Sequence, residues 1–90
     1  MAKHHQIELF HAQNIADKQY VEEAVKQAVL VSGAALMDLQ VNEKDNRVSC
    51  MALVEGGNLT MQTWPESKYV SVNYFTRDES VKPYEAFASL

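Results

Sequence analysis

From Ala35 to Thr76 the chain alternates apolar and polar residues, and only short clusters of turn-forming residues interrupt it. Such a stretch belongs in a sheet, because successive side chains of a strand point to opposite faces. Ala35, Met37, Leu39 and Val41 share one side, and Glu43 to Asn46 supply turn residues before Val48 restarts the pattern. Gly56, Gly57 and Asn58 separate the runs Arg47 to Glu55 and Leu59 to Trp64, and Pro65 ends the second run. Glycine and asparagine readily take the positive φ angles of a tight connection. Tyr69 to Thr76 forms the last strand. Strands joined by such short turns run antiparallel.

The flanking segments complete the order. His5 to Phe10 alternates loosely and predicts a first strand. From Lys18 the period becomes helical: Val21, Ala24, Val25, Ala28 and Val29 recur on one face, with Lys18, Glu22, Glu23, Lys26 and Gln27 elsewhere. Asp17 is the expected N-cap and Gly33 the expected stop. Glu22 and Lys26 are expected to pair one turn apart, for about 0.3 kcal/mol. Val81 to Leu90 reads as a short terminal helix with Pro83 in its first turn. The fold class is therefore α+β: a two-layer sandwich, with a mainly antiparallel sheet of about five strands and two helices on one face. With 90 residues and no linker or repeat, residues 1–90 are expected to form a single domain.

A chain of this length buries only about 60 to 65% of its unfolded surface, so a monomer is marginally stable. Eight basic and twelve acidic residues give a net charge of −4, scattered along the chain. That pattern offers no footprint for a nucleic acid or an anionic membrane. No apolar run reaches the roughly 20 residues that span a bilayer, and MAKHHQ lacks the apolar core of a signal peptide. Cys50, the single cysteine, sits in an apolar run, which suits a buried, inert thiol in a reducing cytoplasm. His4, His5 and His11 have no accompanying carboxylate or cysteine pattern, so no metal site is expected.

Strand parity assigns the two faces. Val48, Cys50, Ala52, Val54, Leu59, Met61, Val70 and Val72 form the side under the helices. The opposite side carries Ser49, Met51, Leu53, Thr60, Gln62, Trp64, Tyr69, Ser71, Asn73 and Phe75. A purely solvated face rarely holds so many large apolar groups. Two readings follow: a subunit interface, which makes the chain a homo-oligomer through its open sheet face, and a ligand pocket with aromatic walls.

The stretch LVEGGNLTMQTWPE, Leu53 to Glu66, followed by YFTR at Tyr74 to Arg77, resembles the signature of bacterial-type S-adenosylmethionine decarboxylases, which reads roughly ESHLTIHTWPE with FTCG after it. Further matches are collinear: VKQAVLVSGA at Val25 to Ala34, the Val48-Ser49 pair, and PYEAFASL at Pro83 to Leu90, which resembles PWKAFEHL. In that family a serine becomes an N-terminal pyruvoyl group by self-cleavage, and the group takes up electrons from the departing carboxyl. Gly57 stands at that position, Gln62 at the histidine that assists processing and Arg77 at the catalytic cysteine. Glycine has no hydroxyl to attack the preceding carbonyl, an amide does not titrate, and guanidinium stays protonated. No pyruvoyl cofactor is therefore expected. Ser49 matches a processing serine. The resemblance also implies a further C-terminal strand with no counterpart before Leu90, and an adenine-stacking aromatic loop that aligns with Leu39 to Asp45, where no aromatic residue stands.

What the resemblance leaves is substrate holding. It implies that Glu66 binds ribose hydroxyls and that Trp64 lines the site, with Gln62, Ser49, Tyr74 and Arg77 as further ligand-binding candidates. The expected ligand is S-adenosylmethionine or a derivative, including a nucleotide conjugate. The expected reaction is a pyruvoyl-independent lyase step, in which the substrate carboxylate displaces the sulfonium to give homoserine lactone and methylthioadenosine. The alternative is a catalytically silent paralogue acting as a ligand-binding or regulatory subunit in polyamine synthesis.

Overall fold

Asp17 opens the first helix by accepting the backbone N–H groups of Gln19 at 2.9 Å and Tyr20 at 3.2 Å, and Gly33 closes it at φ 84° with its N–H on Leu30 O. The computed structural model describes residues 2–13 and 15–90. In chain order the elements are β1 (Lys3–Leu9), α1 (Lys18–Ser32), β2 (Leu36–Lys44), β3 (Arg47–Val54), β4 (Gly57–Trp64), β5 (Tyr69–Thr76) and α2 (Pro83–Ala88), with a 3-10 turn at Pro65–Ser67 between β4 and β5. The five strands form one antiparallel sheet in the order β1-β5-β4-β3-β2. Helix α1 lies over β2, β3 and β4, and α2 packs beside α1. The α+β class and the two-helix layer are thus as the alternation implied.

The core sits between sheet and helices. Val48, Cys50, Ala52 and Val54 of β3, Leu59 and Met61 of β4, and Val70, Val72 and Tyr74 of β5 are buried against Val21, Val25, Ala28 and Val29 of α1. Each fully buried valine or leucine contributes about 1.5 to 3 kcal/mol, so this apolar face holds the layers together. Burial, and secondarily the nearby Glu22 carboxylate, pushes the Cys50 thiol up to about 11. It is a packed, protonated thiol at neutral pH.

Local details differ from the expectations. A register shift between Leu36 and Asp38 inserts an extra residue in β2, so Met37 leaves the alternation and is 65% exposed, while Leu39 and Val41 still face the helix. The β3–β4 turn is Glu55-Gly56, with Gly56 at φ 83°, and Gly57 and Asn58 already belong to β4. Lys26 meets Glu23 at 3.8 Å instead of Glu22. Helix α2 is shorter than Val81 to Leu90, because it starts at the proline. The Leu39 to Asp45 segment is mostly strand β2, not a loop.

Candidate functional site

The open face carries a polar band between two apolar ends. Asn42, Ser49, Gln62, Ser71 and Glu8 are successive cross-strand partners and run across all five strands. Ser49 and Gln62, both expected ligand contacts, meet here and line a shallow hollow of about 240 Å³ with Gln40, Asn42, Met51 and Thr60. Beyond the band on one side lie Met51, Leu53 and Phe75, between 38% and 44% exposed. On the other side lies the aromatic end.

That aromatic end is built by the way β4 stops. Thr63 is buried, and its hydroxyl accepts the Val48 N–H at 2.9 Å and donates to the Val48 carbonyl at 3.3 Å. A side chain thus takes over where strand pairing between β3 and β4 ends. Pro65 then turns the chain, and Lys68 at φ 51° closes the turn with its N–H on the Pro65 carbonyl. Trp64 faces its cross-strand partner Tyr69 with ring centroids 5.2 Å apart, and Phe10 extends the cluster from Tyr69 at 5.4 Å.

Glu66 projects from this turn. Its Oε1 accepts Arg47 Nη2 at 2.7 Å and Nε at 3.2 Å. A hydrogen bond from its own backbone N–H and the Arg47 guanidinium hold its carboxyl below the usual carboxylate range. Arg47 has no place among the residues implied by the resemblance. The observed register that pairs Ser49 with Gln62 carries it to the Trp64 end of β4.

The remaining candidates are elsewhere. Tyr74 lies on the helix side of the sheet, fully buried, with its hydroxyl 2.8 Å from Ser32 Oγ. Ser32 spends its own proton on the Val29 carbonyl at 2.8 Å, so Tyr74 is the donor. Burial pushes its phenol above the ordinary value. Its contacts tie β5 to α1, on the opposite side of the sheet from Ser49 and Gln62. Arg77 follows β5 and is exposed, with its backbone N–H on the Gly56 carbonyl at 2.8 Å. It stands beside Gly57, at the far end of β4 from Trp64, about 23 Å away at the rise of an extended strand. One chain therefore does not bring Arg77 to Glu66.

A serine-derived carbonyl group does not fit at residue 57. A Cβ built on Gly57 would overlap the Phe75 carbonyl oxygen and stand 2.9 Å from the Phe75 carbonyl carbon and from Thr76 Cα. The neighbouring strand fills the space that the group needs. His4 Nε2 is 3.1 Å from Asn73 Oδ1, and the His5 ring packs on Tyr84 at 4.9 Å. Among the described residues no cluster of three metal-ligating side chains forms, and no helix is long and apolar enough to cross a membrane.

The likeness to known proteins extends over the whole of this geometry. The profile of the family described as S-adenosylmethionine decarboxylase matches residues 3–90. An S-adenosylmethionine decarboxylase proenzyme of Thermomicrobium roseum is 40% identical over 92 aligned positions, which cover 100% of this chain and 79% of that protein. A proenzyme of the same name from Clostridium tetani is 32% identical over 78% of this chain and 56% of its own length, and one from Sulfurisphaera tokodaii is 32% identical over 81% and 60%. The crystal structure of the adenosylmethionine decarboxylase from Aquifex aeolicus superimposes with a TM-score of 0.82 over 98% of this chain and 75% of that one, at 20% identity, which shows a shared fold. These names overturn the expected carbon–sulfur lyase, because they describe loss of a carboxyl group and not displacement of a sulfonium. They lend no support to the silent regulatory paralogue either, since each relative is called a proenzyme. From its third residue to its last, this chain belongs to the S-adenosylmethionine decarboxylase family.

Proposed function

We propose that the chain acts on S-adenosylmethionine as a cytoplasmic single-domain member of the decarboxylase family, and that its own residues do the substrate-holding part of that work. The observation that carries this is the Trp64–Glu66 turn, which places a half-buried indole and an ionised carboxylate two residues apart at the end of β4. A carboxylate accepts two hydroxyls of a ribose, and an indole offers a flat wall to a purine. Ser49 and Gln62 supply hydroxyl and amide partners along the adjoining hollow. Arg77 supplies a cation for the substrate carboxylate. The electron sink that decarboxylation requires does not come from residue 57, where no side chain fits.

The site is completed by a second copy of the chain. A hollow of about 240 Å³ is smaller and shallower than the roughly 300 to 1,000 Å³ of an ordinary small-molecule pocket. Two open faces packed about a two-fold axis across the polar band set the Trp64 end of one chain against the Arg77 end of the other. The same packing covers Met51, Leu53 and Phe75.

Calorimetric titration with S-adenosylmethionine and with methylthioadenosine tests the reading. Both are expected to bind the wild-type chain, and Glu66→Gln is expected to weaken both. A wild-type chain that binds neither overturns it. Release of labelled carbon dioxide from carboxyl-labelled S-adenosylmethionine, measured in parallel, reports whether a carbonyl reaches the bound substrate from a source other than residue 57. Light scattering checks the pairing: a dimer is expected for the wild type and a monomer for Leu53→Lys.

A further inference from the structure

Residue 57 has no side chain, and neighbouring backbone occupies the space that one would need. Gly57 pairs with Val54 across the Glu55-Gly56 turn on one side and with Thr76 of β5 on the other. The turn is fastened to the end of β5. The Arg77 N–H donates to the Gly56 carbonyl at 2.8 Å, and a Cβ on Gly56 would touch the Asp78 Cβ at 3.5 Å. The buried Thr76 hydroxyl accepts the Asp78 N–H at 3.0 Å and donates to the Asp78 carbonyl at 3.3 Å. Asp78 in turn accepts the Ser80 N–H at 2.9 Å and the Ser80 hydroxyl at 2.7 Å.

This arrangement leaves no room for the chemistry of self-cleavage. Attack on the Gly56 carbonyl needs a side-chain oxygen from residue 57, carried on a Cβ that has freedom to rotate. The Phe75 carbonyl oxygen stands where that Cβ would be, and Phe75 is held in register between β4 and β1 by its partners Asn58 and His4. The obstacle is main chain in the middle of three paired strands. It does not swing aside as a flexible side chain would.

We infer that this chain has replaced the family's cleavage loop with a closed hairpin in which residue 57 accepts only glycine, so that restoring the serine does not restore processing. The protein works as an uncut chain. This inference stands on strand geometry and does not depend on nucleoside binding, so the two fail separately.

The test is Gly57→Ser, with Gly57→Ala as the steric control, each expressed as the full chain. Intact mass and thermal melting are measured against wild type. Both variants are expected to remain one polypeptide and to melt at least about 10 °C lower or fail to fold, in line with an overpacked contact in a domain of this size. A fragment of Gly57→Ser ending at Gly56 overturns the inference. So does wild-type melting in either variant, because residue 57 then has the room that the hairpin denies it.

Discussion

The two ends of strand β4 belong to one family signature and have opposite characters. At the Trp64 end, a buried threonine hydroxyl, a proline and a left-handed lysine end the strand with a half-buried indole and an exposed carboxylate two residues apart. At the Gly57 end, a two-residue turn is tied by a backbone hydrogen bond to Arg77, and the Phe75 carbonyl fills the space that a side chain on residue 57 would use. One end presents functional groups, and the other presents backbone. Under the proposed function, substrate holding and covalent self-processing are separable within a single strand, since each would depend on its own turn and not on the sheet between them.

The contrast can be broken most forcefully at the glycines. Gly57→Ala is expected to cost about 3 kcal/mol, the upper range for a forced overpacked contact. Gly56→Ala, which meets only a left-handed φ of 83° with Asp78 at ordinary contact distance, is expected to cost about 1 to 2 kcal/mol. Chemical denaturation of both variants reads the difference, and equal losses would place the obstacle in the turn instead of in β5. At the other end, Glu66→Gln is expected to raise the Kd for methylthioadenosine about tenfold or more while leaving the melting temperature within a degree or two, as for a hydrogen bond to a charged acceptor on an exposed turn. Titration calorimetry and melting together decide it.

Two smaller effects sharpen the picture. Tyr74→Phe removes the hydroxyl that ties β5 to Ser32 and is expected to cost about 1 kcal/mol of stability with no change in nucleoside affinity. A loss of affinity would return Tyr74 to the site. Arg47→Gln acts on the Glu66 carboxyl. Its folded pKa is held below the ordinary value, so its contribution is present above the unfolded pKa and fades as pH falls through the folded one. Without Arg47 the carboxyl is expected to titrate closer to the ordinary carboxylate range, and the acid-sensitive part of its contribution shrinks. NMR titration of the Glu66 side-chain carboxyl measures it, and an unmoved midpoint would leave its own N–H as the sole cause.

Much of this was legible in the order of residues. Alternation located β3, β4 and β5 and divided their faces correctly, because burial on one side enforces it, and Asp17 and Gly33 marked the helix by backbone needs that few other residues meet. Parity also puts Tyr74 beside Val70 and Val72, so its inward position is legible in the sequence. The bulge at Met37 was not legible, since one inserted residue leaves the pattern around it intact. Nor was the Arg47–Glu66 pair, which joins positions nineteen apart through a register that depends on whether the turn is Glu55-Gly56 or one residue later. The crowding at Gly57 depends on where β5 lies against β4, which the glycine alone does not disclose.

Strand β1 closes the sheet by pairing Lys3 with Thr76 and Leu9 with Val70, across most of the intervening chain. The other three pairings join strands that are neighbours in sequence. Closing the longest loop costs the most chain entropy and is repaid only once β5 has a partner to receive it. β1 is therefore expected to dock last, and Phe10, just beyond it, to reach Tyr69 only at that moment. On this expectation the Phe10–Tyr69 contact forms late: the chain has a hydrophobic core before its aromatic cluster is complete. Pulse-labelled hydrogen exchange should find the β1 amides protected after those of β3 and β4, and simultaneous protection would overturn that order.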